Sequence, residues 1–225
     1  MNVLITAGPT HEPIDPVRFI SNHSSGKMGL AIAEEFARIG WSVTLVQGPT
    51  SVNPANPLIH VVPVQTAAEM FDACSQYFDQ NDVIVFAAAV ADYTPAHPSS
   101  IKIKKKEGNL LLELVKTRDI AMELGKRKRE QQFTVGFALE TNDELENAKG
   151  KLKRKNLDFI VLNSMNDKGA GFQYDTNKIS IIDNEQNVIN FGLKLKTEAA
   201  KDIVTYLLQA VQRKTNAGHL TKPVE

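Results

Sequence analysis

Ser24, Ser25, Gly26 and Lys27 stand directly ahead of residues 30–39, where apolar side chains recur at helical spacing until Gly40 ends the run. Small residues before a helix leave backbone N–H groups uncovered, and those donors with the helix dipole favour an anion, phosphate above all. Lys27 adds a point charge. The letters fit neither common phosphate loop. A Walker A loop reads G-x-x-x-x-G-K-[ST], whereas this chain has Ser21 and Met28 at the first and last positions. The dinucleotide pattern G-x-G-x-x-G fails because only Gly26 and Gly29 are close enough.

Other residues could serve the same chemistry. Lys151 and Lys155 lie one helical turn apart, as a solvated face or as a cationic anion site; spacing leaves both open. Ala87, Ala88, Ala89 and Ala91 leave room beside the backbone before Asp92, enough for a planar base or ribose, though small residues also fit under helices. Lys102, Lys104, Lys105 and Lys106 crowd a short segment between Pro98 and Gly108. They describe either a flap that orders over an anionic ligand or an edge strand whose charges oppose aggregation. Cys74 has no cysteine partner and sits in a helical pattern, the place of a buried structural thiol. Histidines at 11, 23, 60, 97 and 219 show no metal-ligand spacing, no metal ligands can be assigned, and no G-x-S-x-G elbow occurs.

The elements that must position these groups alternate. Strands are predicted over residues 2–7, 41–47, 58–64, 82–88, 133–138 and 157–162, and helices over 30–39, 66–78, 117–126 and up to Lys155. Thr66 with Glu69, and Thr141 with Glu144, have the spacing of capping boxes. Residues 8–29 then form a strand-to-helix loop far longer than usual, at the carboxyl edge where α/β sheets bind ligands. Residues 101–106 and 110–115 read as two strands, 178–182 and 187–191 as an antiparallel hairpin suited to dimerisation, and 197–212 as a last helix. The expected fold is α/β and Rossmann-like: one domain over residues 1–212, with a mostly parallel doubly wound sheet flanked by helices, and a flexible tail over 213–225.

Lys plus Arg and Asp plus Glu each number 26 in 225 residues, so overall charge points to neither nucleic acid nor a membrane surface. No apolar run reaches the length of a membrane span or leader, and a single cysteine suits a reducing compartment, so a cytoplasmic protein is expected.

Five segments, TAGPTHEPIDPVRFISNHSSGKMG, AAAVADY, KIKKK, VGFALET and KLKRKNLDFIVLN, together resemble the phosphopantothenoylcysteine synthetases, or phosphopantothenate cysteine ligases, of coenzyme A biosynthesis. The resemblance spans residues 1–212 and looks like the stand-alone bacterial form, beginning at the ligase strand and without flavin. It implies ligation of 4′-phosphopantothenate to L-cysteine, using CTP as co-substrate and Mg²⁺, through an acyl cytidylate with release of pyrophosphate and then CMP. By the same resemblance, Lys102 stabilises charge during nucleotide attack, Lys151 and Lys155 hold the triphosphate, Ala89 and Asp92 meet the base, and Phe137 packs on the nucleotide. Asn22 would hydrogen-bond the intermediate's carbonyl while cysteine attacks, and Arg18 would meet the other substrate. Ser24, Ser25, Gly26 and Lys27 keep their phosphate role, with the choice between nucleotide and pantothenate phosphate open. A homodimer with shared sites is implied too.

Two other classes compete. A nicotinamide-dependent reductase wants an ionised ribose-reading residue where Gln47 and Gly48 end the second strand, and a Tyr-x-x-x-Lys on a helix; Tyr174 and Lys178 have that spacing, but in a turn. A silent nucleotide sensor would have no use for Asn22 and Lys102.

Overall fold

The computed structural model describes residues 1–105, 107–164, 169, 171 and 174–220. In chain order its elements are β1 (Asn2–Ala7), β2 (His11–Pro13), β3 (Phe19–Ser21), α1 (Lys27–Arg38), β4 (Ser42–Gln47), β5 (Ile59–Pro63) and α2 (Ala67–Tyr77). There follow β6 (Val83–Phe86), β7 (Tyr93–Pro95), β8 (Leu114–Lys116), α3 (Ile120–Lys126), β9 (Phe133–Glu140), α4 (Glu144–Arg154) and β10 (Phe159–Ser164). The chain closes with β11 (Thr176–Asn177), β12 (Ile179–Asp183), β13 (Val188–Asn190), β14 (Lys194–Leu195) and α5 (Lys196–Leu220).

Strands with apolar residues at successive positions need cover on both faces, and the sheet supplies it. Its order is β13-β12-β10-β9-β6-β1-β4-β5, parallel from β10 to β5 and antiparallel at β12 and β13. Because side chains alternate across a strand, Val3, Ile5, Val83 and Val85 face α1 and α5, where Ile32, Phe36, Ile203 and Leu207 are buried. Leu4, Ile84, Phe86 and Ile160 face the other way, onto Met70, Cys74, Leu124 and Leu152 from α2, α3 and α4. Each large apolar side chain so buried stabilises by about 1.5–3 kcal/mol. The fold is therefore the expected doubly wound one, and the expected hairpin is β12 and β13, extending the main sheet at one edge.

Read across from β5, the parallel strands run β5, β4, β1, β6, β9, β10, so the direction of winding reverses between β1 and β6. Such reversals open a crevice at the carboxyl ends of the two strands, the usual ligand position in this architecture. The parallel bridge between Pro9 and Ala89 continues the β1–β6 pair into that crevice. Helix α1 lies hard against β1: a Cβ on Gly29 would come within 2.6 Å of Ala7 Cβ.

Several expectations are corrected. Residues 8–29 are not one loop, since β2 and β3 pair within them, His11 opposite Ser21. Residues 101–105 form no strand; the alternation of Ile and Lys finds no neighbouring strand, and Ile101 is 75% exposed. Lys106 lies outside the described residues. Of residues 110–115 only Leu114 and Val115 enter a strand, in β8, which pairs with β7. Thr141 and Glu144 make no capping box: Asp143, at φ 45, is the N-cap of α4 and no side chain caps it. Thr66 and Glu69 do form theirs. Helix α5 continues past Gln212 to Leu220, and residues 221–225 lie outside the described set. No described helix is long and apolar enough to cross a membrane.

Candidate functional site

The crevice between β1 and β6 is a cavity of about 670 Å³. One wall is the start of α1, with Ser24, Ser25, Gly26 and Lys27 all lining it. Gly26 is the N-cap at φ 75, a left-handed conformation that a side chain resists, and no side chain caps the helix. First-turn N–H groups are thus left to whatever enters. The approach is held by Thr50, whose hydroxyl donates to Ser25 O at 2.7 Å, and by Gly26 N–H donating to Ser24 Oγ at 3.3 Å. Lys27 Nζ reaches Asp175 Oδ1 at 2.5 Å. That ammonium holds the Asp175 carboxyl below its usual range.

The second wall is the small-residue segment after β6. Ala88 N–H donates to Thr6 Oγ1 at 3.1 Å, Ala89 N–H to Gly8 O at 2.9 Å and Ala91 N–H to Thr10 Oγ1 at 3.0 Å. Asn22 completes this lattice, its Nδ2 donating to Ala89 O at 3.0 Å and Val90 O at 3.1 Å. A flipped amide would set its oxygen against two carbonyls, so the network fixes the orientation and leaves Oδ1, an acceptor, without a partner among the described residues. Donation to an acyl carbonyl would require the amide to leave Ala89 and Val90. Asp92 also lines the cavity.

The third wall is β9 with α4. Phe137 is half-buried there, Lys151 Nζ sits 2.6 Å from Glu140 Oε1, and Lys155 Nζ is 2.9 Å from Asp119 Oδ2. All of Asn22, Ser24, Ser25, Gly26, Lys27, Ala89, Asp92, Phe137, Lys151 and Lys155 therefore meet at one cavity.

Arg18 and Lys102 do not line it. Arg18 pairs with the buried carboxylate of Asp15 and donates to Ile103 O at 2.8 Å, while Asp15 accepts from Ile103 N–H at 3.0 Å. This clasp ties the β2–β3 turn to the lysine-rich segment and borders a separate open depression with His11, Phe19 and Ser99. Lys102 is exposed beside it.

Sequence reasoning missed Lys116, Arg118, Asp119, Asn163, Asn177 and Lys196, which also line the cavity. Lys196 is 7% exposed, and its Nζ donates to Gly171 O at 2.9 Å and Tyr174 O at 2.6 Å. Burial, then the charge of Lys27, pulls its ammonium below the usual lysine range. Asp119 alone carried a legible signal, as the N-cap of α3. Tyr174 and Lys178 flank the short strand β11 and neither lies on a helix, and Gln47 Nε2 is spent on Val52 O at 2.7 Å, so the reductase reading has no site.

Among the described residues no three His, Cys, Asp or Glu side chains gather as a metal cluster. A Mg²⁺ ion would fit as one carried mainly by phosphate and water with at most one or two carboxylates, the usual habit of this cation.

Comparison with known proteins bears on this site. The family model of the DNA/pantothenate metabolism flavoprotein C-terminal domain matches residues 1–211. The coenzyme A biosynthesis bifunctional protein CoaBC of Bacillus subtilis is 48% identical over 180 residues, which is 80% of this chain and 44% of that protein. A cysteine/cysteine sulfinic acid decarboxylase of an unknown prokaryotic organism is 54% identical over 209 residues, 93% of this chain and 58% of that protein. The chain thus spans roughly half the length of these curated relatives. A crystal structure of the C-terminal domain of CoaBC superposes with TM-score 0.79 at 40% identity, covering 94% of this chain and 98% of that domain.

Proposed function

The chain belongs to the family of the DNA/pantothenate metabolism flavoprotein C-terminal domain, and on that premise we propose that it ligates 4′-phosphopantothenate to L-cysteine at the expense of CTP. The observation that carries this reading is the uncapped start of α1 facing the cations of α4 across one crevice. A triphosphate needs such donors and charges, and a carboxylate needs the triphosphate to become an electrophile.

In the first step a carboxylate oxygen of phosphopantothenate attacks the α-phosphorus of CTP, forming the acyl cytidylate and expelling pyrophosphate. Lys151, Lys155 and the N–H groups of α1 stabilise the charge that gathers on the leaving phosphates. A Mg²⁺ ion held by the triphosphate would supply further neutralisation of that charge. Lys102 joins these cations only if its segment moves over the cavity, the flap motion expected of residues 101–108. In the second step the cysteine amine attacks the acyl carbon, CMP leaves, and the amine gives up a proton. Asn22 keeps Ala89 and Val90 in place and turns an acceptor toward that amine, while Ala89, Asp92 and Phe137 enclose the base and ribose.

A homodimer is the proposed assembly. In place of the 178–191 hairpin first expected to pair, the surface offered for this assembly is the two-stranded β7–β8 ribbon, which packs on β2 and whose loop leaves Leu111 90% exposed. A second copy covering that surface brings Arg18, outside its own cavity, toward its neighbour's. The decisive experiment is incubation with phosphopantothenate, cysteine, Mg²⁺ and either CTP or ATP, following pyrophosphate. Release that depends on phosphopantothenate, and is faster with CTP, is expected; no release with either nucleotide overturns the proposal.

A further inference from the structure

The cavity's cations differ in how they are neutralised. Lys27 faces Asp175, Lys151 faces Glu140 and Lys155 faces Asp119, at 2.5, 2.6 and 2.9 Å. Lys196 is committed to backbone carbonyls. Arg118 lines the same cavity, and none of the described carboxylates pairs with it. Its guanidinium carbon instead stands 4.9 Å from the centre of the Phe71 ring. A polyanion must share the three paired lysines with carboxylates, but Arg118 brings no competitor.

The backbone that presents Arg118 is pinned on both sides. Thr117 N–H donates to Asp92 O at 3.0 Å and its hydroxyl donates to Ala91 O at 2.6 Å. Asp119 accepts from Met122 N–H at 3.1 Å, capping α3, and holds Lys155. The guanidinium is thereby held over an aromatic face, a position from which its N–H groups can form a planar fork toward an anion.

We propose that Arg118 is a further binding residue of this cavity, one that grips a phosphate group of the nucleotide. The inference rests on the nucleotide reading above, and the phosphate is the partner because the Lys155–Asp119 pair stands next to it in the chain. The test is calorimetry on the full chain with CTP, CMP and cytidine, without turnover, for the native protein, Arg118→Gln and Arg118→Lys. Loss of one charge-assisted contact predicts CTP affinity about tenfold weaker in Arg118→Gln, with a smaller loss in Arg118→Lys, which keeps the charge but not the fork. Cytidine affinity is expected to stay unchanged. Equal CTP affinity in all three proteins overturns the proposal. So does an equal loss for cytidine and CTP, which would mark Arg118 as packing on Phe71 only, and so does a loss that appears for phosphopantothenate, titrated in parallel, and not for CTP. Failure of the native protein to bind any nucleotide would instead overturn the function on which the proposal rests.

Discussion

Lys27 and Asp175, 148 residues apart in the chain, are joined at 2.5 Å across the mouth of the cavity. Their side chains are 40% and 73% exposed, and water and salt leave pairs so exposed with little net stabilisation. A multiply charged phosphate can therefore take Lys27 from Asp175. Replacing Asp175 with Asn should tighten inorganic pyrophosphate binding about two- to fivefold at low salt, with the gain fading as salt screens it. Calorimetry at two ionic strengths checks this, and weaker binding would mean that Asp175 itself contacts the ligand. Since Lys27 depresses the Asp175 pKa, the pair is complete above the ordinary 3.8 and is lost only as pH falls below it through the depressed value.

Lys151 and Lys155 are expected to bind nucleotide, and their pairing with Glu140 and Asp119 sharpens the consequence of removing them. Lys151→Met or Lys155→Met should weaken CTP binding about ten- to a hundredfold, because a contact is lost and a carboxylate is left facing the phosphates. Lys151→Met combined with Glu140→Gln should lose less than Lys151→Met alone. Unchanged affinity in both single variants would return these lysines to a solvated face.

Asn22 holds two carbonyls that an aspartate would repel. Asn22→Asp should let the acyl cytidylate form but hinder its capture by cysteine, whereas Lys102→Gln should slow its formation. Quenched-flow trapping of the intermediate separates the two. Intermediate accumulating in the lysine variant and not in the asparagine variant would reverse the assignment.

Cys74 is fully buried between α2 and the sheet, and burial raises its thiol pKa to about 12. A raised value favours the neutral form, so its contribution to stability is whole below the ordinary 9.0 and disappears as pH rises toward 12. Native protein at pH 8 should leave a thiol reagent nearly unreacted, and unfolded protein should consume it at once. Fast labelling of the native chain would contradict the burial.

Arg18 and Lys102, both outside the cavity of their own chain, offer a test of the shared site. An Arg18→Ala protein mixed with a Lys102→Gln protein should recover part of the activity each lacks, through hybrid dimers. Sedimentation of a fully active monomer at assay concentration would end the dimer, and a dimer without complementation would remove only the sharing.

How much of this was legible in the sequence follows from where the information resides. β1, β6, β9 and β10 were readable because strands covered on both faces must be apolar at nearly every position. The Thr66–Glu69 cap was readable because all its partners lie within one turn. The start of α1 after the small residues 24–26, left without a side-chain cap, was readable for the same local reason. Residues 101–105 were misread because alternation makes a strand only where another strand accepts its bonds, and that partner is a matter of tertiary placement. Tertiary structure alone decided that Arg18 is clasped by Asp15 and Ile103, that Lys27 meets Asp175, and that Arg118 stands over Phe71 with none of the described carboxylates paired to it. Each of these depends on a distance between segments remote in the chain, and charge type alone does not reveal which cation is already paired.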